Sequence, residues 1–174
     1  MKKIFVLFIT VLSPIAVYCQ GKITVEKEKA AIIAAIEQET IAYGNADYES
    51  WKAAYVQNDP FVRINSSKTG FGGRNNWQSY DSTWYAYYKD NPKPLTGKYK
   101  NEDYIIRLVT PEVAWAVYKE NFFDDKDTKL GWNLQTRFLE KQNGKWKISY
   151  VGMVSASTYE DKTVESSKLA RPTP

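Results

Sequence analysis

Near Pro94 the hydrophobic period of the chain changes from 3.6 residues to 2, and this switch constrains the fold more than any other feature of the sequence. Helices first and long strands afterwards is an α+β order, in which the strands form an antiparallel sheet that curls round the helices to bury them. Before the switch, Val25, Ile32, Ile36 and Tyr43 mark an amphipathic helix over Val25–Tyr43 that Gly44 stops. Asp47 then caps a shorter helix, Tyr48–Tyr55, whose inner stripe is Trp51, Ala54 and Tyr55. Phe61–Asn65 alternates as a strand, and the turn Ser66–Gly70 leads into a short hairpin. Trp77, Tyr80, Trp84, Tyr87 and Tyr88 share one face of a third helix, which Asn91-Pro92 and Pro94 end. Beyond it, strands are expected at Tyr99–Val109, Glu112–Phe123, Lys129–Gln142 and Lys145–Ser155.

Asn143-Gly144 is the strongest hairpin signal, because a two-residue turn of this type needs positive φ at both positions. If Gln142 pairs with Lys145, then Leu139 faces Ile148, Arg137 faces Tyr150, Gln135 faces Gly152 and Asn133 faces Val154. One face then carries Trp146, Leu139 and Ile148 near the turn and Arg137, Tyr150, Gln135 and Asn133 further along. The other face carries Trp132, Leu134, Thr136, Phe138, Val151 and Met153. Both are too apolar to lie in water, so the outward face is expected to be covered by a second copy in a homodimer.

The chain has no His and one Cys, Cys19. This composition excludes Ser-His-Asp and Cys-His catalysis, a disulfide framework and His/Cys zinc sites, and no cofactor motif stands in their place. Lys2 and Lys3, the apolar run from Ile4 and the small residues before Gln20 form the pattern of a secretory signal. Residues 1–19 are expected to be removed on export, leaving a secreted or periplasmic protein without a thiol. The rival is lipidation at Cys19, which the bulky Tyr18 opposes; without it no membrane contact is expected. The formal charge of +4 falls when Lys2 and Lys3 leave, which argues against nucleic-acid binding. After residue 157 the sequence has no period, and 158–174 reads as a disordered tail.

Ile36-x-x-Glu39, Asp47-x-x-x-Trp51, Val62-Arg63 before the glycines, and the ending Phe138-Leu139-Glu140-Lys141-x-Asn143-Gly144-Lys145-Trp146-Lys147-Ile148 together resemble the SnoaL-like branch of the nuclear transport factor 2-like superfamily. The resemblance covers about residues 26–157 and places a single domain over 20–157. It implies a cone: a strongly bent sheet around a long N-terminal helix with two further helices, open at one end. Members include isomerases, dehydratases, cyclases and subunit-association domains, so the likeness identifies a fold and not an activity. Relatives often carry His in the last strand where this chain has Tyr150 and Gly152, which puts a His-dependent reaction out of reach.

In such a cone Asn133, Gln135, Arg137 and Tyr150 point inward, with Glu39 reaching them from the first helix, where spacing from Ile32 and Ile36 puts it on the apolar face. A carboxylate there is paired or has a raised pKa; Glu39 is the best catalytic candidate, though the commoner role for such a residue is that of a structural partner, here to Arg63 or Arg137. Trp51, Trp77 and Trp84 are expected to form an apolar, ring-binding wall. Glu120, Asp124, Asp125 and Asp127 lack the spacing of a calcium loop and read as a solvated hairpin end, and Gly70, Gly72 and Gly73 as turn chemistry. No metal site is expected. Three functions stay open: a non-catalytic module binding a small apolar or amphipathic molecule, a metal-free lyase or isomerase using a buried carboxylate, and an association domain with a filled cone. An open cavity with a carboxylate at its wall favours the second, one without it the first, and a plugged cone the third.

Overall fold

In the computed structural model, which describes residues 13–58, 61–67 and 70–155, helices precede long strands as the change of period implies. The helices are α1 (Ser13–Gly44), α2 (Tyr48–Ala53) and α3 (Trp77–Asp90). The strands are β1 (Val62–Ser67), β2 (Gly70–Arg74), β3 (Lys98–Thr110), β4 (Val113–Phe123), β5 (Lys129–Gln142) and β6 (Lys145–Ser155), in the sheet order β2-β1-β6-β5-β4-β3. The fold is α+β, and one seam departs from the expected antiparallel sheet: β1 runs parallel to β6. The chain is set in that direction before β1 begins, because Ile148 N–H donates to Ala54 O and Val56 N–H to Ile148 O, bridging Tyr55 to Ile148.

Within the described residues α1 is already helical at Ser13, well before the Val25 expected from the apolar spacing. Residues 1–12 of the expected signal and the expected tail 158–174 lie outside the described residues. No described helix is long and apolar enough to cross a membrane. Asp47 caps α2 by accepting from Ser50 N–H, and Asn76 caps α3 by accepting from Ser79 N–H.

Ile32 and Ile36 of α1 are wholly buried with Ala114, Ala116, Leu139 and Ile148, and each such aliphatic side chain contributes about 2 kcal/mol. The alanines of β4 let the helix approach the sheet. Polar ties then fix how α1 lies: Glu28 accepts from Lys141 Nζ (2.6 Å) and Trp146 Nε1 (2.8 Å), and Glu37 accepts from Tyr104 OH (2.6 Å).

The turn at Asn143-Gly144 has φ of 51° and 76°, and the expected register holds from Gln142↔Lys145 to Leu139↔Ile148. It then slips by one residue. Phe138 pairs with Tyr150 and Arg137 with Val151, because Ser149 is an extra residue in β6, a β-bulge. A one-residue slip exchanges faces, so the expected inward position of Tyr150 is corrected: it sits against Phe138 on the convex face, ring centroids 5.6 Å apart. Val151 and Met153, expected outside, turn inward and line the cone.

Candidate functional site

The narrow end of the cone is filled by Leu139, Ile148, Ile32 and Ile36, and above them a cavity of about 170 Å³ opens. It begins at Arg137, which is 3% exposed and delivered by the inward alternation of β5 along with Gln135 and Asn133. Arg137 Nη1 donates to Gln135 Oε1 (2.7 Å), and Gln135 Nε2 donates to Glu120 Oε2 (2.6 Å). From the helix side comes Glu39, whose Oε1 accepts from Tyr55 OH (2.6 Å) and Trp51 Nε1 (3.2 Å) while Oε2 lies 4.0 Å from Arg137 Nη2. That last separation is an ion pair without a hydrogen bond. A planar guanidinium thus links two carboxylates, one directly and one through an amide.

Burial sets the protonation of these groups. Burial raises the Glu120 carboxyl above its ordinary range, with Arg137 opposing and Glu39 adding to the shift. Burial alone disfavours the Arg137 cation, but Tyr118, Glu39, Tyr55 and Glu120 around it hold it protonated. Tyr80 is pushed up to about 12, chiefly by burial, and Tyr55 well above its usual value, by burial and then by the charge of Glu39. The site therefore offers a carboxylate held by two donors, a fixed cation, neutral phenols and one carboxyl whose proton is held more tightly than usual. Among the described residues, Arg137 Nε and Tyr118 OH are buried and make no hydrogen bond.

Aromatic rings form the rest of the wall. Trp51 and Trp84 lie 5.2 Å apart between ring centroids, Tyr43 meets Trp84 edge-on at 5.5 Å, and the Arg63 guanidinium sits over Tyr80 (5.8 Å) and Trp84 (6.0 Å). Of the residues expected from sequence, Glu39, Trp51, Arg63, Trp84, Asn133, Gln135 and Arg137 line one cavity. Trp77 does not: it is 8% exposed and packs on Tyr55 and Phe61 behind the wall. Tyr150 is absent from it for the reason of the bulge. Tyr80, on the aromatic stripe of α3, lines the cavity as well, whereas sequence reading missed Glu120 and Tyr55. Glu120 was legible, since Ala114, Ala116 and Tyr118 lead to it in steps of two along the inward face of β4. Asp124, read with it as one acidic group, instead ties its own turn, accepting from Lys126 and Thr128 N–H.

A bent sheet closed on one helix, with an open cavity of mixed rings and polar groups, fits a ligand-binding cone domain. No family model matches the sequence, and no curated protein matches it. Solved structures do match in fold. A nuclear transport factor 2-like protein of unknown function from Shewanella oneidensis MR-1 is 23% identical, with 74% of this chain and 99% of that one covered at a TM-score of 0.59. The association domain of C. elegans calcium/calmodulin-dependent protein kinase II is 13% identical over 74% of this chain and 95% of its own, TM-score 0.59. A protein provisionally assigned as a scytalone dehydratase from Novosphingobium aromaticivorans DSM 12444 is 15% identical over 77% and 87%, TM-score 0.59. The chain has the nuclear transport factor 2-like fold.

Proposed function

We propose that this chain is an exported small-molecule-binding domain that holds an amphipathic molecule in the cone. One observation carries the reading: the wide end is an open cavity of about 170 Å³ whose wall is half aromatic and half polar. An apolar cavity of roughly 150 Å³ suffices for benzene, so a single ring fits and its polar substituents meet Asn133, Gln135 and Arg137. The open cavity argues against a filled-cone association domain. Native mass spectrometry of protein purified from its source tests the proposal: a retained small molecule on the intact chain is expected. Bare protein throughout, with no quenching of tryptophan fluorescence by any member of an aromatic compound library, overturns it. Export rests on the charged, apolar and small-residue pattern of the first twenty residues and is checked by intact mass; a species retaining Met1 sinks that part alone.

The cavity also has a carboxylate at its wall, the feature that separates a site that turns its ligand over from one that only holds it, and this supports a second reading in which the bound molecule reacts. Glu120 faces the cavity with a raised pKa, the state suited to proton transfer in a lyase or isomerase that uses no His or metal. In this reading the catalytic candidate is Glu120 and not Glu39, which two donors and an arginine hold in place. If the cavity turns over a bound compound, Glu120→Gln removes turnover by at least a hundredfold and keeps binding.

A further inference from the structure

Beside the cone cavity lies a second hollow of about 230 Å³ that shares Arg63, Tyr80 and Trp84 with it. Its far side is Arg74. Arg63 and Arg74 are directly opposite each other in the β1–β2 ladder, and both line this hollow. Like charges directly opposite across a sheet repel, and such a pair is ordinarily relieved by a carboxylate. None relieves this one: no Asp or Glu lines the hollow, and neither arginine has an acidic partner among the described residues. Among the described residues Arg63 meets the faces of Tyr80 and Trp84, and Arg74 Nη1 donates to the carbonyl of Gly73. Between them the strand is low, because Gly72 shares the face of Arg74 and only the neutral side chain of Asn65 lies against it, 3.2 Å from where a Cβ would stand.

We infer that the molecule held in the cone is an anion, an apolar ring body with an oxyanion head group, and that Arg63 and Arg74 clamp the head group at the mouth. The inference rests on the binding function proposed above and specifies its ligand class. Guanidinium forks match the planar geometry of a carboxylate and the tetrahedral oxygens of a phosphate, and two of them facing one space give one oxyanion several charge-assisted bonds. Trp84 and Tyr80 stand at the junction of the two hollows, where they hold Arg63 by their faces and meet the body of a ligand whose head lies on the arginines. The body then extends toward Trp51, and the buried Glu39–Arg137–Gln135 network stays intact beneath it.

The test compares matched probes by tryptophan fluorescence and calorimetry: phenylacetate and phenyl phosphate as acids, 2-phenylacetamide as their neutral counterpart. At least one acid is expected to bind ten or more times tighter than the amide, with an advantage that shrinks as NaCl rises. Arg74→Gln serves as the variant because Arg74 is exposed and only a backbone carbonyl holds it, so the fold survives its loss. It should remove most of the acid's advantage and leave the amide unchanged, and which acid binds tighter distinguishes a carboxylate from a phosphate ligand. Equal affinity for acids and amide, or an Arg74→Gln variant that binds the acids as the parent does, overturns the anion clamp while leaving the cavity as a binding site. Failure of all three probes, with no compound of the wider aromatic library bound either, removes the binding function itself and the clamp with it.

Discussion

Arg137 is the residue on which the site turns, since it is buried between Glu39 and the Gln135–Glu120 pair. Replacing it by Leu leaves two carboxylates in the cone without their cation, and the fold is expected to lose roughly 3–5 kcal/mol in denaturant unfolding. Glu39→Gln should cost less, roughly 1–3 kcal/mol, because an amide oxygen still accepts from Tyr55 and Trp51. A Glu39→Gln variant as damaged as Arg137→Leu would show that the carboxylate charge, and not its hydrogen bonds, holds α2 to α1. Glu120 makes stability depend on pH. Its folded pKa is raised, so the folded chain takes up this proton more readily than the unfolded chain. Its favourable contribution is complete below the unfolded carboxyl pKa and is lost as pH rises through the folded value. Glu120→Gln, which keeps the bond from Gln135, should therefore be at least as stable as the parent at pH 7, with the difference vanishing below about pH 4. Parallel melting series of the two proteins across that range decide it, and a parent that gains on the variant as pH rises refutes the assignment.

The hairpin of β5 and β6 shows which parts of an element are legible before the structure is. Its turn was, because Asn143 and Gly144 take positive φ and few other pairs do so cheaply. Gly144→Ala, at φ 76°, is expected to cost about 1 kcal/mol and to shift the unfolding midpoint without changing its slope. The four inward positions of β5 followed from alternation, and Glu39 from helical spacing, so the β5 and α1 polar groups of the cavity could be read from local periods. The bulge at Ser149 could not. Alternation of apolar residues continues on either side of it, and both faces of β6 are apolar enough to accept either phase. The trace it leaves is Gly152: a Cβ there would come within 2.8 Å of the Tyr150 hydroxyl, so Tyr150 lies along the convex face over a glycine. Trp77 was misplaced for a related reason, since a helix stripe of five rings does not say which rings end behind the others. Tyr150→Ala should leave ligand affinity in the cone unchanged within twofold, whereas Trp84→Ala should weaken it at least tenfold. Equal loss from both would mean that β6 follows the straight register after all.

Across the whole molecule, the concave face of the sheet is occupied by α1 and the cavity, and the convex face is what remains to be covered. Ile105 (63% exposed), Val109 (56%), Phe138 (40%) and Leu134 (38%) lie on it, with Trp115, Val117 and Tyr150 half-buried among them. The bulge changes the membership of this patch, taking Val151 and Met153 inward and bringing Tyr150 and Val154 out beside Phe138 and Leu134. An apolar area that spans β3 to β6 is large for a free surface. Charge marks only part of it: Arg107 borders a shallow hollow with Val109, Trp115 and Phe138, a place where a ring from a second copy can seat. We therefore propose a homodimer formed by this face against itself, an isologous pairing in which each contact occurs twice. Because every contact is doubled, one central charge acts twice, and Phe138→Asp should weaken the dimer by about a hundredfold or more. The same change should leave ligand binding untouched, since Phe138 and the cavity are on opposite faces of one sheet. Sedimentation of the parent at micromolar concentration should show a dimer and the variant a monomer, each binding the same probe with the same affinity. A parent that sediments only as a monomer removes the dimer. A variant that loses the dimer and the ligand together would show instead that the two faces are coupled through β5, the strand that carries Arg137 on one side and Phe138 on the other.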